Sequence, residues 1–156
     1  MKLTHIGALL FLGLGISTIF ACSKTVSEDQ QMLDYIAKKG WVASTTPQGM
    51  YYVQDTSALG SGAYPTSANT VTVKYKGYLT DDTVFDSNST TGYPANLSPT
   101  AAQGVIQGWQ IGIPKFKKGG KGHLLIPSSL GYGATGSGSI PGNVPIIFDI
   151  EVVSFK

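Results

Sequence analysis

Cysteine is all but absent from this chain: the only one is Cys22, so no internal disulfide and no cysteine-rich metal site can form. Histidine is nearly as scarce. With His5 in the leading segment, His123 is left alone, which is too few for a histidine metal site or a Ser/His/Asp grouping. Charged residues make up 13%, against the roughly 25% usual in globular domains. The net charge of +2, with no basic face interleaved with aromatics, argues against a nucleic-acid partner. Asp81, Asp82, Asp86, Asp149 and Glu151 are the acids available for a carboxylate pair, but the first two lie in a turn signal. The expectation is chemistry with no metal, cofactor or nucleophile.

What the chain does carry begins with an address. Met1-Lys2 precedes an apolar run from Ile6 to Phe20, shorter than the roughly 20 residues of a membrane-spanning helix. Its length and its glycines suit a signal-peptide core. Ile19-Phe20-Ala21-Cys22 resembles the lipobox of bacterial lipoproteins. That resemblance implies cleavage before Cys22 and a diacylglycerol on its thiol. Acyl chains contribute about 0.8 kcal/mol per buried methylene and would hold an exported domain at a membrane. Ser23, where an aspartate would signal inner-membrane retention, points to the outer membrane, periplasmic face. The expected organisation is a signal peptide over 1–21, a lipid-anchored segment with a short helix over 22–46, and one domain over 47–156.

Twenty glycines in short clusters indicate strands and turns. Ser27-Glu28-Asp29-Gln30 has capping-box spacing, Met32, Leu33, Ile36 and Ala37 recur at helical spacing, and Gly40 is a natural stop. Strands are predicted over Trp41–Thr45 and Met50–Gln54, joined by Thr46-Pro47-Gln48-Gly49. Val71, Val73 and Tyr75 alternate with polar residues as a third strand, and Thr83–Asp86 runs back from a turn. Residues 87–99 read as a polar loop. Val105–Ile113 is a short helix centred on Trp109, Lys121–Pro127 a strand, and 131–145 a glycine- and proline-rich loop. The last strand places Ile146, Phe148, Ile150 and Val152 on one face, with Asp149 and Glu151 on the other. The sum is an α+β domain: an antiparallel sheet around one short helix, with an extra N-terminal helix.

Two motifs mislead. Gly131-Tyr132-Gly133-Ala134-Thr135-Gly136 matches G-x-G-x-x-G, but Ser137-Gly138-Ser139-Ile140-Pro141-Gly142 follows where a dinucleotide fold needs a helix. Gly119-Gly120-Lys121-Gly122 lacks the hydroxyl residue and spacing of a P-loop.

One ordered series remains. Val73-Lys74-Tyr75-Lys76-Gly77-Tyr78-Leu79 is followed by Val84-Phe85-Asp86-Ser87, then by Val105-Ile106-Gln107-Gly108-Trp109. Lys117-Lys118-Gly119-Gly120-Lys121, Leu125-Ile126-Pro127-Ser128, Leu130-Gly131-Tyr132-Gly133 and Ile147-Phe148-Asp149-Ile150-Glu151 complete it. In order and spacing the series resembles the FKBP family of immunophilin prolyl isomerases. The resemblance covers roughly residues 47–156 and implies rotation of X–Pro bonds in an apolar aromatic pocket. It implies Trp109 as the floor under the proline ring, Tyr75, Phe85 and Phe148 as walls, and Val105 and Ile106 beside them. Asp86 and Tyr132 are implied as polar rim groups, and Ile140 as a residue closing over the ligand. A further pocket aromatic is usual upstream of the Val-Ile-x-Gly-Trp motif; here Leu97 is the nearest apolar substitute. An arginine to pair with Asp86 is also missing nearby. The implied partners are proline-containing polypeptides and macrolide ligands, and the expected state is a monomer. A binding or chaperone module with little turnover is the alternative.

Overall fold

The computed structural model describes residues 26–101 and 104–156. Helix α1 spans Glu28–Lys39, and each end follows from local chemistry. The Ser27 hydroxyl accepts the Gln30 N–H at 3.2 Å, with Glu28 and Asp29 in the first turn. The reciprocal half of the capping box is not made, because the Gln30 amide donates to Asp34 instead. Gly40 stops the helix in the left-handed region at φ 66°. The buried stripe is Met32, Tyr35 and Ile36, while Leu33, expected to lie in it, is exposed.

Six strands follow: β1 Ser44–Thr45, β2 Tyr51–Gln54, β3 Thr70–Leu79, β4 Val84–Asn96, β5 Lys121–Ile126 and β6 Ile146–Phe155. They form one antiparallel sheet in the order β1-β2-β5-β6-β3-β4. Helix α2, Gln107–Gly112, runs into a 3₁₀ turn at Ile113–Lys115.

Strand alternation distributes side chains to two cores. On one face Val71, Val73, Leu124, Ile126, Ile146, Phe148, Ile150 and Val152 pack with Trp109 and Ile113. On the other, Tyr78, Leu125, Ile147 and Val53 meet the α1 stripe. Both helices therefore cover the sheet, one on each side. Gly108 and Gly112 let α2 lie tight on β5: an added Cβ would meet Ile126 at 2.4 Å or Leu124 at 2.6 Å.

Two elements differ from the sequence reading. Only Ser44–Thr45 of the expected Trp41–Thr45 strand is paired, because Trp41 turns back to stack on His123, ring centroids 3.8 Å apart. The expected polar loop 87–99 is largely strand, since β4 extends to Asn96. As an edge strand β4 draws its order from hydrogen bonds to β3 rather than from an apolar face. Its Ser, Asn, Thr and Gly residues therefore carry no period of two. Pro94 is tolerated there for the same reason.

Tyr78 and His123 both hydrogen-bond the Asp149 carboxylate, at 2.6 and 2.7 Å, beneath Trp41. His123 is thus part of the sheet–helix junction.

Candidate active site

Above the α2 face of the sheet lies an open cavity of about 310 Å³. Its base is Trp109, which α2 presents from its first full turn and which is 4% exposed. Tyr75 from β3 and Phe148 from β6 stand against it edge to face, each with ring centroids 5.1 Å from the indole. The register places Tyr75 opposite Ile150 and Gly77 opposite Phe148, so both aromatic residues rise from adjoining strands on one face. Gly104, Val105 and Ile106 in the segment entering α2 form a further side. Among the described residues the Trp109 indole N–H has no hydrogen-bond acceptor.

The polar groups lie around this aromatic cup. Asp86 and Tyr132 line it, and the Tyr75 hydroxyl donates to Asp86 Oδ2 at 2.6 Å. That bond answers the question left by the missing arginine: the carboxylate is held by a phenol. Burial, and then the hydrogen bond to Asp86, push the Tyr75 hydroxyl far above its ordinary range. Burial also raises Tyr132, with the Asp86 charge adding to it, so Tyr132 stays a protonated donor at neutral pH. Among the described residues lining the cavity, Asp86 is the only charged one.

Of the residues singled out from sequence, Tyr75, Asp86, Val105, Ile106, Trp109, Tyr132 and Phe148 meet at this cavity. Phe85 stands behind it, edge to face with Phe148 at 5.5 Å. Leu97 is fully buried in the core and does not line the cavity. Ile140, 8% exposed, packs into the same core without reaching the lining. Cys22 and the signal segment lie outside the described residues.

Tyr93, not singled out from the sequence, lines the cavity where Leu97 does not. It lies 6.2 Å from Trp109 and 6.3 Å from Tyr75, centroid to centroid, nearly perpendicular to both. The only local signal was an aromatic beside Pro94 after a glycine, inside a stretch that reads as loop.

The family model for FKBP-type peptidyl-prolyl cis-trans isomerase matches residues 62–153. FkpA of Aeromonas hydrophila, described as an FKBP-type peptidyl-prolyl cis-trans isomerase, is 39% identical over 77% of this chain, which spans 42% of that relative. FK506-binding protein 1 of Dictyostelium discoideum is 43% identical over 62% of this chain and 91% of its own length. The crystal structure of a Pseudomonas syringae peptidyl-prolyl cis-trans isomerase superposes with a TM-score of 0.70 at 29% identity, covering 83% of this chain and 90% of that one. The chain thus spans less than half of the FkpA relative but nearly all of the shorter ones. It belongs to the FKBP-type peptidyl-prolyl cis-trans isomerase family.

Proposed function

We propose that this chain accelerates cis–trans rotation about X–Pro bonds, with the proline ring seated on Trp109. The observation that carries the reading is the aromatic cup itself: a buried indole ringed by Tyr75, Tyr93 and Phe148, with one hydrogen-bonded acid on its rim. Uncatalysed rotation must break amide resonance, a barrier of about 18–20 kcal/mol. The planar amide is more dipolar than the twisted one, so an apolar cup that excludes water disfavours the ground state relative to the transition state. Hydrogen bonds fitted to the twisted form add to this. The Tyr132 hydroxyl and the Ile106 N–H, neither of which has a partner among the described residues, are the candidate donors to substrate carbonyls. In this mechanism Asp86 keeps Tyr75 in place, and Phe85 braces Phe148 from behind. No covalent step, metal or cofactor is needed.

The substrates on this reading are exported polypeptides, whose X–Pro steps are slow during folding. Residues 1–21 act as the signal, and Cys22 carries the lipid that holds a monomeric domain at the outer membrane, facing the periplasm. Among the described residues no helix is long and apolar enough to cross a membrane. An intact mass showing loss of residues 1–21 and a lipid adduct, abolished by Cys22→Ala, is the expected result.

The decisive experiment is isomerisation of short X–Pro peptides by the full-length chain in detergent. Acceleration inhibited by FK506 would support the enzyme and its pocket together. Binding of the same peptides without acceleration would replace the enzyme by a proline-segment binding module.

A further inference from the structure

Helix α1 precedes the residues that the family model matches, yet one of its side chains reaches the loop that carries Tyr132. Glu28, in the first turn of α1, stands 100 residues from Ser128 in sequence. Its carboxylate accepts the Ser128 N–H at 2.5 Å and the Ser128 hydroxyl at 2.6 Å, one on each oxygen. Ser128 is only 7% exposed, and leaving buried donors without an acceptor is costly, so Ser128 is held where Glu28 holds it. The helix is a firm base for that grip. Met32, Tyr35 and Ile36 are buried against Val53, Tyr78, Leu125 and Ile147, and the Tyr51 hydroxyl donates to Asp29 at 2.8 Å.

Ser128 is in turn the node of the Tyr132 loop. It opens the 3₁₀ turn Ser128–Leu130, and its carbonyl accepts the N–H of Gly131 at 2.9 Å and of Gly133 at 2.8 Å. Those two residues flank Tyr132. The Tyr132 hydroxyl has no partner among the described residues, so backbone and packing alone aim it into the cavity.

We propose that Glu28 is a positioning residue for isomerisation: it clamps Ser128, Ser128 fixes both neighbours of Tyr132, and the Tyr132 hydroxyl is thereby aimed at the substrate carbonyl. The inference rests on the reading of this cavity as the X–Pro site with Tyr132 as a donor. Such a donor is effective when it is already in place as the amide twists, and a loop free to sample other positions loses that advantage. Two charge-assisted bonds from one carboxylate fix orientation as well as distance. An acid in the first turn of a helix also complements the helix dipole, but aspartate would do that equally well. Only the longer side chain spans the gap to Ser128.

The test measures kcat and KM on an X–Pro peptide, and amide hydrogen exchange at Gly131 and Gly133, for the full-length chain in detergent. Glu28→Ala should lower kcat several-fold with KM within about twofold of wild type, because the donor acts in the transition state. Exchange at both glycines should quicken. Glu28→Gln offers an oxygen to the N–H and an amide to the hydroxyl, and should restore most of kcat. Glu28→Asp keeps the charge but is one methylene too short, and should behave like Glu28→Ala. Tyr51→Phe releases another α1 tether without touching the loop, so kcat should not change. In a Tyr132→Phe chain, Glu28→Ala should cost no further kcat. Losses that add in that double variant, an unchanged kcat in Glu28→Ala, or an equal loss in Tyr51→Phe would overturn the proposal. A wild-type chain that does not accelerate rotation refutes the reading of the cavity. Faster exchange in Glu28→Ala then still upholds the clamp on the loop, and unchanged exchange overturns both.

Discussion

Gly77→Ala tests the aromatic cup from underneath. Gly77 lies on β3 between Tyr75 and Leu79, on the face that carries the site, and pairs with Phe148 across the β3–β6 ladder. A methyl group there would lie 2.5 Å from Phe85 Cε2 and 2.8 Å from Phe148 Cε1. Carbon atoms in contact prefer about 3.5–4.0 Å, so both rings must retreat by roughly 1 Å. Phe148 also packs edge to face on Trp109, with centroids 5.1 Å apart, so a displaced Phe148 ring disturbs the base of the cavity that both residues line. Overpacking of this kind costs about 1–3 kcal/mol, and the same displacement alters the shape of the binding floor. The variant should lose that much stability in urea titrations and weaken peptide or macrolide binding, followed by tryptophan fluorescence. Phe85→Leu in the same chain should return part of both losses, giving a coupling energy of about 0.5–3 kcal/mol. A Gly77→Ala chain with unchanged urea midpoint and unchanged Kd would refute the argument that glycine makes room for the rings. So would a double variant whose effects simply add.

Trp109→Ala removes a buried indole, so it should cost about 3–5 kcal/mol in urea titration and abolish isomerisation in the fraction that remains folded. Tyr132→Phe, which deletes only a rim donor, should lower kcat several-fold with little change in the urea midpoint, about 0.5 kcal/mol or less. Stability should fall on acidification below about pH 4. Burial alone would raise the Asp149 carboxyl, but the hydrogen bonds from His123 and Tyr78 outweigh it and hold it below its ordinary range. The Tyr35 hydroxyl, then Lys38 and Lys39, depress Asp82 further. A depressed carboxyl contributes stability that is complete above its unfolded pKa and is lost as pH falls through its folded pKa. Urea midpoints of Asp149→Asn against pH should accordingly lie below wild type at neutral pH and converge with it in strong acid; parallel curves would refute the assignment.

Elements with one buried face were legible in the sequence. The α1 stripe and the alternation of β3 and β6 each set apolar residues against polar ones at a fixed period, which is the signal burial leaves in a sequence, whereas the helix around Trp109 showed as a short apolar piece ending at Pro114. The errors fall where another force supplies the order. β4 is held by a ladder on its inner edge and shows no such pattern, so its residues read as loop. Trp41 was expected to extend a strand, but it gains more by stacking on His123 over the Asp149 hydrogen bonds than by ladder pairing at the sheet edge. Neither partner is near Trp41 in sequence, and no local propensity encodes their meeting.

The site shows the same division more sharply. Tyr75, Trp109, Tyr132 and Phe148 each sit inside a short ordered motif, and the sheet register alone is enough to bring β3 and β6 together. Asp86 stood out because no packing role explained an acid there, and its partner proved to be the Tyr75 hydroxyl already assigned to the wall. Leu97 was chosen because it is apolar and near the expected place, yet apolarity also suits a residue with no exposure at all, and the core took it. Tyr93 escaped notice because its position depends on a count: four β4 residues, 89–92, span what the single β3 residue Lys74 does, and that excursion decides which side chain faces Trp109. In a strand, a shift of one residue sends every side chain to the opposite face. Asn88, whose side-chain oxygen accepts the Gly92 N–H, and Gly92, at φ +80°, fix the excursion and therefore act on the site as directly as the ring they deliver, although neither lines the cavity.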